Sequence, residues 1–495
     1  MEVILAFDLG TGSVRGCLVS LEGRVVARGS SGIRAHPPET APAGREYDPK
    51  GLRGAIVEAT AQALAAAPAG MKVAAVTVAS MRPACALLDS SGEPLCLGAN
   101  RDARAVGEAI ELLRGNREML FRVTGQLPPV LAWSARVPWF RANLPEVWAR
   151  TALITGIEGW VLSLFGVEAA IDSSSASGTG LYDITAGGWS HEILSAIGLE
   201  SSRLPQVVPT GTVLGRASGD FAGALGLEGA VVCAGAADTH AALAGSGAWD
   251  AGETAVVGGT SMPVARVVAD PGPRSARLWS SRHLREGFGV VESNCGESGF
   301  AWEWLAEVLG VDVGALDALA SEAAPASAVA HLGTAPQDFA DMPLLRNGGV
   351  MVPLPPGMFG VGRASLARAG IEAAAFGAVE AMAWIDGETT GAGPIRVCGG
   401  MTRSRLWLKS LAAAFGRPVL VTQEDATSVG VAACAAAGAG LVADAREVVK
   451  ATGAASSVVP VDDELAGVLQ AGYQRWRDAV VRLEQGAMRI SALVG

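Results

Sequence analysis

Apolar positions along the chain fall into short runs broken by glycine-rich turns. Val3–Phe7 is apolar, Asp8–Ser13 is a polar glycine turn, and Val14–Val19 is apolar again. This predicts strand, turn, strand, with Gly10 and Gly12 at positive φ. Met71–Ser80 and Ala84–Asp89 read as further buried strands. Gly229–Ala234 leads through a small-residue turn to Asp238 and an Ala-rich helix start. The opening pattern then recurs: Thr254–Val257, the turn Gly258-Gly259-Thr260-Ser261, and Val264–Val268. Ile395–Cys398 runs into Gly399-Gly400 and a helix over Ser404–Phe415. Each half therefore carries a strand–turn–strand and a strand–turn–helix, the pattern of an internal duplication.

Two further helices follow from the 3.6-residue period. Phe300, Trp304, Leu305 and Val308 are expected on one buried face, with Gly310 as the cap. Leu465, Leu469, Tyr473, Trp476, Val480 and Leu483 mark a long amphipathic helix opened by Asp462, Asp463 and Glu464. Small residues and glycines between Gly245 and Gly252 place the domain boundary there, giving domains 1–246 and 247–495.

The 495-residue length needs more than one core, and half of the residues are hydrophobic with 18% charged, which supports large buried interiors. A net charge of −11 argues against nucleic acid or an anionic membrane as the partner. It leaves room for phosphate bound by loops and helix N-termini. The longest uncharged apolar stretch, Val429–Ala443, falls short of the roughly 20 residues that span a bilayer. The start MEVILAFDLG meets an aspartate too early for a signal peptide. The seven cysteines form no C-x-x-C pair, so neither zinc nor a disulfide framework is expected, and a reduced, cytoplasmic protein is.

Four segments carry candidate chemistry. In Asp8-Leu9-Gly10-Thr11-Gly12-Ser13, with Arg15 beyond, the glycines let backbone N–H groups approach phosphate oxygens. Thr11 and Ser13 add hydroxyl donors, and Asp8 suits Mg²⁺ held through water. Gly258-Gly259-Thr260-Ser261 repeats that chemistry. Asp238, after Gly235-Ala236-Ala237, reads either as a helix cap or as a carboxylate that takes a proton from an attacking hydroxyl. Gly399-Gly400-Met401, followed by Ser404 and Trp407, offers backbone against which a flat adenosine could lie. Each segment alone reads equally as an ordinary turn; their order and spacing set them apart.

That arrangement resembles the FGGY family of carbohydrate kinases, within the actin-like ATPase superfamily, over nearly the whole chain. Asp8, Asp238, Thr260 and Gly399-Gly400 stand at its D-x-G-T, G-x-x-D, G-T-S and G-G-x-x-x-S positions. Trp133-Ser134-Ala135-Arg136, the run Asp172, Ser175, Gly178, Thr179 and Asp183, and Asp425-Ala426-Thr427 with Gly430 add to the match. Ser80-Met81-Arg82 and Asn100-Arg101-Asp102-Ala103-Arg104 look closer to autoinducer-2 kinases than to xylulokinases.

The resemblance implies an α/β fold of two actin-like (ribonuclease H-like) ATPase domains around a central cleft, with the sugar on the first domain and ATP on the second. It implies Asp238 as catalytic base and Met81, Arg82, Asp102 and Asp238 as sugar contacts. Gly10, Thr11, Gly12, Ser13, Arg15, Gly259, Thr260, Gly399, Gly400, Met401 and Ser404 would contact ATP. Asp8 and Asp238 would serve Mg²⁺. Against these roles, Arg82 and Arg104 could instead form a surface or interdomain salt bridge. Partners would be a small sugar and ATP, with a homodimer left open. The chain departs from the family at Met401, where a third glycine is frequent, and at Lys409. It also lacks a G-E-R-T-P-type arm near Pro353–Val361. A non-catalytic sugar sensor on the same fold is the competing expectation.

Overall fold

A computed structural model describes residues 1–422, 425–452, 456–489 and 491–494. Its frame is a pair of sheets that share the order and direction of five strands. In the first, the strands Glu2–Leu9, Ser13–Ser20 and Val25–Gly32 form an antiparallel meander. Lys72–Ser80 then pairs parallel to Glu2–Leu9, and Val231–Cys233 parallel to Lys72–Ser80. In the second, Thr254–Val257, Pro263–Val268 and Gly289–Asn294 are antiparallel neighbours, and Trp279–Arg282, which precedes Gly289–Asn294 in the chain, pairs at its outer edge. Ile395–Cys398 and Val419–Val421 add the parallel strands in the same order. The repeat legible in the sequence is thus a repeat of strand order and direction.

Burial explains why these segments are strands. Along Glu2–Leu9 every residue but the first is buried, because both faces of the sheet are covered. Val3, Leu5, Phe7 and Leu9 face the helix Pro49–Ala65, whose N-cap Asp48 accepts from Gly51 N at 2.8 Å. Ile4 and Ala6 face the other way, against Ala432, Ala433 and Ala436 of the helix Ala426–Gly438. That helix comes from the second half of the sequence yet packs on the first sheet. The helix Asp238–Gly245, from the first half, sends Leu243 against Ala255, Ala265, Val267 and Val290 of the second sheet.

These two helices cross at paired glycines. A methyl group on Gly245 would lie 1.8 Å from the Ala426 carbonyl oxygen, and one on Gly430 2.0 Å from the Ala241 carbonyl oxygen. The Ala/Gly character of Val429–Ala436 therefore reflects burial on all sides. No helix among the described residues is long and apolar enough to cross a membrane.

Two local expectations are corrected. The helix Ser298–Leu309 is present and capped by Gly310 at φ 64°, but it buries Trp302, Leu305, Ala306 and Leu309, leaving Trp304 and Val308 more than half exposed. Gly10 and Gly12 do not take positive φ. Leu9 pairs with Val14, and Gly10 N donates to Ser13 O at 3.0 Å, so the longer connection turns without left-handed residues. The C-terminal helix Asp463–Glu484 forms as expected, with Asp462 accepting from Leu465 N. Phe359 closes an exposed 3₁₀ turn at Pro356–Phe359, capped by Gly360 at φ 63°.

Candidate functional site: a cleft between two glycine turns

The ends of the two sheets face a common cavity of about 420 Å³. Its wall takes in Gly10, Thr11, Arg15, Arg82 and Asp238 from the first domain, and Gly259, Thr260, Ser261, Gly399 and Gly400 from the second. The cavity is of the size that holds a small ligand.

Asp8 and Arg15 sit directly opposite on neighbouring strands and pair at 2.6 Å. Burial pushes the Asp8 carboxyl above the ordinary range; Arg15 opposes that, and the nearby Asp425 adds to it. The second turn is shaped by close approach. Gly399 has φ 93°, and a methyl group there would lie 2.4 Å from Gly258 O; one on Gly258 would meet Met401 Cβ at 2.8 Å. Only glycine fits this crossing of the Thr254–Val257 and Ile395–Cys398 strand ends.

Asp238 opens its helix, but Ala237 holds the cap position and makes no side-chain cap bond. Asp238 Oδ1 instead accepts from Thr239 N at 2.6 Å. Its carboxyl is pushed up to about 6, mainly by burial and further by Asp8, with Arg82 opposing. A second layer holds it: Asp172 accepts from Ser174 N and Ser174 Oγ, and Ser174 Oγ accepts from Ala237 N at 3.0 Å. The run containing Asp172 and Gly178 is thus a brace, with Gly178 packed beneath the Arg82 side chain.

Several expected residues lie off the cavity wall. Asp102 is fully buried in a pair with Arg104 at 2.9 Å, and Arg104 also reaches Glu46 at 2.6 Å. Asp102 is therefore behind the wall, its oxygens taken by a guanidinium. Met81 is 3% exposed, with its sulfur accepting from the Tyr47 hydroxyl. Ser404 caps the helix Arg405–Phe415, accepting from Trp407 N at 3.0 Å and donating to Asp317 at 2.5 Å. Met401 packs into the second core. Gly12 and Ser13 belong to the turn but not to the lining.

Asn100 and Arg101, quoted above only as part of the motif around Asp102, also join the site. Asn100 Nδ2 donates to Thr11 Oγ1 at 3.2 Å. Arg101 pairs with Glu297 and lies over the Phe300 ring, bridging the domains at the cavity edge. Arg82 pairs with Glu292 of the second domain at 2.7 Å, so the interdomain salt bridge considered for Arg82 forms. Trp279 and Phe339 stack at 4.5 Å and close an apolar end, where Trp279 Nε1 donates to Leu127 O of the first domain. Glu292 had one signal: a carboxylate directly after the apolar run Gly289-Val290-Val291.

A duplicated sheet pair with a glycine turn from each half facing one cavity is the architecture of a two-domain phosphate-handling protein. Residues 3–245 match the N-terminal domain, and residues 255–439 the C-terminal domain, of the FGGY family of carbohydrate kinases, and the chain belongs to that family. It is 33% identical to autoinducer-2 kinase of Salmonella typhimurium over 65% of this chain and 64% of that protein, less than two thirds of the relative's length. Autoinducer-2 kinase of Escherichia coli (strain K12) is 30% identical over 90% of this chain and 87% of that protein. The crystal structure of xylulose kinase from Rhodospirillum rubrum superimposes with a TM-score of 0.82 at 25% identity, covering 97% of this chain and 99% of the other.

Proposed function

We propose that the chain transfers the γ-phosphoryl group of ATP to a hydroxyl of a small linear sugar or polyol, with Asp238 as the base. The observation that carries this is Asp238 itself: a half-buried carboxylate, pushed up to about 6, on the wall of a cavity that also takes in both glycine turns. A base of that strength is ionised at neutral pH yet accepts a proton readily from a hydroxyl losing it. The acceptor oxygen bonds to the γ-phosphorus as its proton passes to Asp238. The bond from phosphorus to the β–γ bridging oxygen breaks, and ADP leaves. The turns at Gly10–Thr11 and Gly259–Thr260 offer N–H and hydroxyl donors to the phosphates, and Gly399-Gly400 gives flat backbone to the nucleoside.

Asp8 lies close enough to Asp238 to help raise its carboxyl, and two carboxylates suit a hydrated Mg²⁺. Bound there, Mg²⁺ would offset phosphate charge. The names of the relatives, autoinducer-2 kinase and xylulose kinase, support a linear, sugar-like acceptor. The test is ADP formation across D-xylulose, L-ribulose, D-ribulose, glycerol, L-fuculose and the autoinducer-2 precursor. Acceptor-stimulated ADP release is expected; acceptor binding with no turnover would point to a sensor and overturn the reading.

A further inference from the structure

Glu292 is a carboxylate that the phosphoryl-transfer chemistry does not use, buried to 1% exposure in a strand. Alternation along Gly289–Asn294 explains its direction. Val291 joins the second domain's own core, whereas Val290 packs beside Leu243 of the first domain's helix. Glu292 and Asn294 share the Val290 face and line the cavity. Asn294 is engaged, its Oδ1 accepting from Gly296 N at 2.9 Å.

Glu292 is half engaged. Its Oε2 accepts from Arg82 Nη2 at 2.7 Å, while its Oε1 and Arg82 Nη1 are buried without any hydrogen-bond partner. The two side chains are 1% and 8% exposed. An unmet donor and an unmet acceptor, side by side on a cavity wall, cost free energy until a ligand supplies both partners. A carbonyl or hydroxyl oxygen would accept from Nη1, and an adjacent hydroxyl would donate to Oε1. Asp238 lines the same cavity and interacts electrostatically with Arg82. One guanidinium thus faces two carboxylates, which leaves no spare positive charge for an anionic acceptor.

We propose that Glu292, from the second domain, is an acceptor-binding and specificity-determining residue that, with Arg82, reads a vicinal diol or hydroxy-carbonyl of a neutral sugar and excludes sugar acids. This rests on the kinase reading above. Because Arg82 and Glu292 lie on different domains, the acceptor they hold also joins the domains.

The test compares the wild type with E292Q, E292A and E292D on D-xylulose, D-ribulose, glycerol and the sugar acid D-gluconate, alongside the KM for ATP and the thermal midpoint. The wild type is expected to favour a neutral acceptor over gluconate by at least about tenfold in kcat/KM. E292Q, which keeps an oxygen for Arg82, should raise the acceptor KM about tenfold, the scale of one lost charged hydrogen bond. Its KM for ATP should stay within about twofold, and its discrimination against gluconate should narrow. A structural role alone would move the midpoint without separating the two KM values. Unchanged acceptor KM in all three variants, or gluconate as the best wild-type acceptor, overturns the assignment of Glu292 while the kinase reading stands. A wild type that phosphorylates none of the six acceptors named earlier overturns both.

Discussion

At the scale of single residues, the site is governed by what burial does to carboxylates. Asp8 and Asp238 both line the cavity, and burial raises both carboxyls while Arg15 and Arg82 oppose it. For Asp238 the expected consequence is a pH dependence. Its carboxyl is pushed up to about 6, so it is ionised above that pH and protonated below it. Turnover should rise about tenfold per pH unit on the acid side and level off above about 6. Asp238→Asn should lower turnover by about 10²-fold or more, abolish that acid limb, and leave acceptor binding largely intact. Near-normal turnover in this variant, measured by coupled ADP release, would remove Asp238 from the role of base.

At the scale of elements, turns and caps divide residues that look alike in sequence. Ser404 sits in a family motif, yet its hydroxyl spans Trp407 N and Asp317, the geometry of an N-cap. Ser404→Ala should therefore lower stability by about 1 kcal/mol in thermal or denaturant unfolding while the KM for ATP is unchanged. A selective rise in that KM would restore the nucleotide role. Gly430 meets the Ala241 carbonyl within van der Waals contact, so Gly430→Ala must push two helices apart. A cost of roughly 1–3 kcal/mol is expected, read as a lower unfolding midpoint.

The same division decides what was legible beforehand. Strand–turn–strand units were readable because their buried runs are short, apolar and punctuated by glycine. The face of Ser298–Leu309 was not, since Phe300, Trp304 and Val308 also share a helical stripe and periodicity cannot say which stripe meets the core. Asp102 and Asp238 are both aspartates beside small residues; only three-dimensional placement shows that Arg104 occupies one while the other faces the cavity. Glu292 was missed because its partner, Arg82, is 210 residues away in sequence.

At the scale of the whole molecule, side chains hold the domains together across the cleft. Arg82 to Glu292, Arg101 to Glu297, and Arg15 and Arg28 to Asp425 all join residues of the two halves. Trp279 and Arg282 donate to backbone carbonyls of the first domain. An acceptor bound between Arg82 and Glu292 would add to that seam from inside.

The exchange of helices between the halves has a practical corollary. A polypeptide cut after residue 246 would lack the helix Ala426–Gly438, and Ile4, Ala6, Ala75 and Ala79 would face water instead of its alanines and valines. An apolar sheet face left bare is an invitation to self-association. Residues 1–246 produced alone should be recovered in aggregates. The same fragment made together with residues 247–495 should yield a soluble, non-covalent pair that elutes as one species. If the first fragment proves soluble and monomeric by itself, the borrowed helix is dispensable. If it does not, the gene's halves are interlocked: neither can be exchanged for a foreign counterpart without also exchanging the surface on which the other's helix rests.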